Sequence, residues 1–203
     1  MKTKACILLA ALMASACLSR ANIVAYNLAD DGDGVINCSN YGLNPQGEGN
    51  YSMEIYGDHN LWGSGHLLGY FTTDTETDPT LALTHSIDND TGTDWGDYHV
   101  MVTMNKTFSF SGISVANAGW TYTYTGPTLV GSDWIGYIDY YAGTPVLAGG
   151  NLTFNFSVSF TGSVNFSEQL TPSPVPEPGT TALAVTGGLV LAGLAVRRRR
   201  VES

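Results

Sequence analysis

The chain has 203 residues, 43% of them hydrophobic and 11% aromatic, which is enough for one domain with a sizeable core and terminal extensions. Lys106 is the only basic residue between positions 22 and 196, against 17 acidic ones. No basic surface is left to meet phosphates, which excludes nucleic acid as a partner and argues equally against docking on anionic lipid.

The first 21 residues read as a secretory signal peptide. Lys2 and Lys4 supply the positive start, Ala5 to Leu18 an apolar run, and Ser19 and Ala21 the small residues that suit cleavage before Asn22. Cleavage after Ala16 is an alternative, because Ala14-Ser15-Ala16 has the same small-x-small form; Cys17 would then open the mature chain, although a lipidation motif normally carries Leu where Ala14 stands. Beyond residue 21 only Cys38 remains. The domain therefore has no internal disulfide and no cysteine-based zinc site, and rests on its hydrophobic core.

Residues 22–170 are expected to form an all-β ectodomain. Its first motif, "ADDGDGVIN" (Ala29 to Asn37), has part of the acidic-x-acidic-Gly form of a calcium loop, with Asp31, Asp33 and Asn37 at ligand positions and Asp30 as a substitute. The first and twelfth positions fall on Ala29 and Asn40, so a plain Asp/Gly turn is the default and weak calcium binding the alternative. A strand is expected over 51–56, then a Gly-rich loop, "GDHNLWGSGH". Its Trp62 either fills the end of the fold or stacks on a sugar ring. Strands follow over 66–73 and in "TLALTHSI", where Leu81, Leu83 and Ile87 share a face. Asp90-Thr91-Gly92 makes a turn with Trp95 and Tyr98 packing across it.

Next, "YHVMVTM" puts Tyr98, Val100, Val102 and Met104 on one side; 107–115 is a further strand, and "WTYTYTG" sets Trp120, Tyr122 and Tyr124 against threonines. After 134–141 comes the clearest strand, "NLTFNFSVSF", with Leu152, Phe154, Phe156, Val158 and Phe160 alternating with polar residues. Eight or nine short strands with no helical period between them predict an antiparallel β-sandwich of jelly-roll type. The four histidines have no close metal spacing. No nucleophile elbow, phosphate loop or carboxylate pair stands out, so no enzymatic activity is expected.

The C-terminal part has a different character. "TPSPVPEP" (Thr171 to Pro178) holds four prolines in eight residues, so 171–179 read as an extended linker. Thr181 to Val196 is uncharged, and 180–196 read as one short transmembrane helix, about 24 Å long at 1.5 Å per residue. Arg197, Arg198, Arg199 and Arg200 mark 197–203 as a basic cytoplasmic tail, which leaves the ectodomain outside.

Pro176-Glu177-Pro178, then a short apolar helix, then the arginine cluster resembles the PEP-CTERM sorting signal of exopolysaccharide-producing Gram-negative bacteria. The resemblance covers roughly residues 175–200. It implies recognition by an exosortase, a membrane-embedded cysteine transpeptidase, with Pro176, Glu177 and Pro178 as the motif and Arg197 to Arg200 as its positive end. The segment from Asn89 to Val100, "NDTGTDWGDYHV", is similar to one found in sandwich domains of other such proteins. The expectation is an exported, non-enzymatic envelope or matrix protein. It is anchored in the inner membrane during sorting, then released to the cell surface, with a structural or adhesive ectodomain. The alternative is a module that binds exopolysaccharide or calcium. No other cofactor is expected.

Overall fold

The computed structural model describes residues 20–40 and 42–175. Twelve strands follow one another in these segments: β1 (Ile23–Asp30), β2 (Ile36–Asn40), β3 (Leu43–Gly47), β4 (Asn50–His59), β5 (Gly65–Thr73), β6 (Thr80–Asn89), β7 (Trp95–Met104), β8 (Phe108–Val115), β9 (Thr121–Val130), β10 (Asp133–Tyr141), β11 (Asn151–Phe160) and β12 (Val164–Pro174). They form two sheets. Sheet A has the order β1-β5-β12-β7-β10-β9, and sheet B the order β2-β4-β6-β11-β8, with β3 paired to β4.

The period-two pattern sets the facing. In β11 every second residue, from Leu152 to Phe160, is buried, as are Leu81, Leu83 and Ile87 of β6, Tyr98 to Met104 of β7, and Phe71 of β5. These side chains join in one core cluster lying between the sheets. The all-β expectation holds among the described residues; the purely antiparallel one does not. β4 and β6 run parallel in sheet B, from Asn50 opposite Thr80 to His59 opposite Asn89. The chain leaves β4 for β5 in sheet A and returns to sheet B for β6, so two reversals give the pair the same direction.

The folded domain extends past the expected boundary at 170. β12 runs to Pro174, with Pro172 opposite Tyr98 and Pro174 opposite Trp95 of β7. Its other neighbour, β5, stops at Leu170 opposite Gly65. The two prolines therefore lie on a locally open edge, where a missing N–H breaks no ladder. At the other end, Ala21 is fully buried, Arg20 donates to Asn50 Oδ1 at 2.8 Å, and Asn22 N donates to Asp74 Oδ1 at 2.7 Å. The last residues assigned to the signal thus pack against the domain.

Among the described residues no helix is long and apolar enough to cross a membrane. The expected span 180–196, the motif Pro176-Glu177-Pro178 and Arg197 to Arg200 lie outside the described residues, as does most of the signal segment.

Candidate functional site

The acidic turn and the Trp62 loop meet at one end of the sandwich. The turn is built by its own carboxylates. Asp30 Oδ1 accepts from Gly32 N at 3.2 Å, Asp31 Oδ1 from Asp33 N at 3.1 Å, and Asp33 Oδ1 from Val35 N at 2.8 Å. Gly32 and Gly34, at φ of 77° and 80°, supply the left-handed backbone between them. Val35 O accepts from Asn60 N at 2.8 Å, and Asp31 N donates to His66 O at 3.2 Å, which ties the turn to the loop and to the start of β5.

The result is a convergence of Asp31, Asp33 and His66, each offering one ligand atom within 4.8 Å of the others. His66 Nδ1 lies 3.2 Å from Asp31 Oδ2. The hydrogen bond from the main chain of Asp33 holds the Asp31 carboxyl below its usual range, with His66 adding to the effect, so Asp31 is ionised at neutral pH. The other two expected ligands stand elsewhere. Asp30 turns inward, its Oδ2 accepting from Cys38 N at 3.0 Å. Asn37 lies on β2 opposite Asp58 in sheet B. Spacing along the chain had no way to bring in His66, which is 33 residues beyond Asp33 and arrives only through the pairing of β5 with β1. Two carboxylates with one imidazole make a donor set closer to first-row transition ions than to calcium, which prefers oxygen alone.

Trp62 is 47% exposed and Leu61 54% exposed, so the tryptophan does not fill the sandwich end. The loop is fastened beneath them by His59. Its Nε2 donates to Gly63 O at 3.1 Å, and its Nδ1 accepts from Tyr98 Oη at 3.3 Å. Burial pushes the His59 pKa down, in keeping with the neutral imidazole this pairing requires. The neighbouring turn at 89–95 is structural: Trp95 Nε1 donates to Thr91 Oγ1 at 3.1 Å, and Trp95 and Tyr98 pack with ring centroids 5.2 Å apart.

A second polar constellation crosses the outer face of sheet A. His99 Nδ1 is 2.7 Å from Asp139 Oδ1, and His99 Nε2 is 3.0 Å from Ser173 Oγ. These are the distances of nucleophile, base and orienting acid in a hydrolase. Pro172 and Pro174 flank Ser173 and carry no N–H, and Val175 N is committed to Asp94 O at 3.1 Å. The trio links the end of β12 across β7 to β10.

In the core, His85 Nε2 and Glu168 Oε2 share a hydrogen bond of 2.9 Å, both side chains fully buried. The imidazole stacks on Phe154 at 4.5 Å. His85 Nδ1 and Glu168 Oε1 have no hydrogen-bond partner. Burial, and then the charges of Asp30, Glu168 and Asp58, push the Cys38 thiol up to about 12. That shift favours the protonated thiol at neutral pH. No family model, curated protein or solved structure matches this chain.

If the turn takes calcium, affinity is expected to be no tighter than about millimolar, with Asp30 spent on the backbone and the remaining donors on an exposed turn. Calorimetric titration of the chain checks this. Submicromolar binding lost in Asp31→Ala and Asp33→Ala would show a built calcium site instead.

Proposed function

We propose that this chain is an exported protein of the cell envelope or extracellular matrix, addressed by its C-terminal segment and carrying a structural or adhesive ectodomain of jelly-roll type. One observation carries the proposal: the order Pro176-Glu177-Pro178, an uncharged apolar stretch, then Arg197 to Arg200. Each part has its own physical task. The arginines stay cytoplasmic and orient the segment. The short Ala- and Gly-rich stretch makes a marginal anchor, suited to handover. The proline-bracketed acid marks where an exosortase-type enzyme would act. The excess of acidic residues in the domain suits a life outside the cell, where it keeps the domain soluble.

A second reading concerns the ectodomain's own ligand. It places polysaccharide or a divalent ion at the sandwich end where exposed Trp62 adjoins Asp31, Asp33 and His66.

The sorting proposal is tested in a host with the matching enzyme. Replacing Pro176, Glu177 and Pro178 by alanine is expected to hold the protein in the inner-membrane fraction with its ectodomain in the periplasm. Undiminished delivery of the triple variant to the surface would contradict the proposal.

A further inference from the structure

One flank of the sandwich is free of charge. From Thr107 to Ser132 no residue is charged, and this stretch forms β8 and β9, the last strands of sheets B and A. They lie side by side, with Phe110 edge-on to Tyr124 at 6.3 Å. Among the described residues β9 pairs with β10 on one side only, and nearly all of its own residues are exposed. Natural sheets blunt an open edge with lysine, proline, a bulge or a covering loop. Here Gly126-Pro127 bulge opposite Gly136, between the pairs Ile135–Thr128 and Tyr137–Thr125. The protection therefore begins only after Thr125, leaving Thr121 to Thr125 bare.

Those five residues read Thr-Tyr-Thr-Tyr-Thr, the same in both directions. A two-fold interface needs a surface that complements itself. Antiparallel pairing of two copies about Thr123 sets Thr121 opposite Thr125 and Tyr122 opposite Tyr124, twice each. Thr–Thr and aromatic–aromatic pairs are among the favourable cross-strand combinations. Tyr122 and Tyr124 are 38% and 55% exposed, although they sit beside buried Tyr140 and Ile138 on the inward face. Sheet B ends at β8, whose Phe110 meets Tyr124 edge-on and leaves both tyrosines partly open. Charge selects the same flank, because 17 acidic residues make two copies repel nearly everywhere else. The acids closest in register are Asp139, opposite Thr123 and hydrogen-bonded to His99, and Asp133, opposite Val130 beyond the bulge.

We propose that Thr121–Thr125 of β9 is a homodimer edge, where a second copy of the chain adds its own β9 antiparallel and joins two six-stranded sheets into one. The bulge limits the length of the pairing, and because both copies use the same edge about a two-fold axis, the assembly closes as a dimer. A five-residue edge is smaller than a standard interface of about 1,600 Å², which makes this a weak association that a covalent trap will capture.

The test uses the purified full chain with Cys6, Cys17 and Cys38 replaced by serine, oxidised with copper phenanthroline. Thr123→Cys is expected to give a reducible dimer, since facing residues across an antiparallel pair lie about 4.5–5.5 Å apart, within disulfide reach. Thr84→Cys, exposed in β6 on the other sheet, is expected to stay monomeric. In sedimentation, Thr123→Asp and Thr123→Lys are each expected to be monomers, and their equimolar mixture a dimer, because position 123 meets its own copy. Equal crosslinking from both cysteine positions, or none from Thr123→Cys, would overturn the proposal. So would a dimer that persists in both charge variants alone.

Discussion

Phe156→Asp is expected to abolish the cooperative thermal transition of the β domain. Phe156 is 1% exposed at the middle of β11, opposite Leu83 of β6, with Phe110 edge-on at 5.8 Å and the His85 ring at 5.5 Å. Losing the ring alone costs about 3–5 kcal/mol. Leaving a carboxylate in the same space costs several kcal/mol more, since it takes a charge out of water. Together these approach the roughly 5–15 kcal/mol that holds a domain folded. Phe156→Leu, which keeps the site apolar, is expected to retain the transition. Melting followed by circular dichroism decides, and an unchanged curve for Phe156→Asp would mean that β11 faces the other way.

His85→Leu is expected to destabilise the fold by about 3–5 kcal/mol, because it strands Glu168 in the core without its partner. Glu168→Leu should cost less. An unpaired imidazole is less costly to bury than an unpaired carboxyl group. Replacing both by leucine is expected to be neutral or stabilising by about 1–4 kcal/mol, since two unpaired polar atoms and two desolvation penalties disappear together. Denaturant unfolding of the two single variants and the double gives the coupling directly. If His85→Leu unfolds like the parent, the pair is not buried as a pair.

The same two residues show why part of the fold was hidden in the sequence. Strands β7 and β11 were legible because every inward position is apolar, so period two stood out. β12 carries Glu168 inward between Phe166 and Leu170 and then two prolines, so its alternation looks broken and its end looks like a linker. The break is itself the cross-sheet contact. β1 has only Ile23 and Leu28 buried among its eight residues, too sparse a pattern to register. Tyr122 and Tyr124 gave a clean alternation and the correct side of the sheet, yet both stay partly open, because periodicity reports direction and not what lies opposite. The acidic turn was legible as a turn from its Asp–Gly alternation. His66 was not, because its approach depends on the register of β5 against β1.

Export and trimming of the tail stand at the centre of this account, and intact-mass spectrometry of the surface fraction from the native host tests them most directly. The predicted mature protein has lost its N-terminal signal and lacks Arg197 to Arg200. A surface protein whose mass still includes Val201-Glu202-Ser203 would contradict the account and leave the C-terminal segment as a permanent anchor.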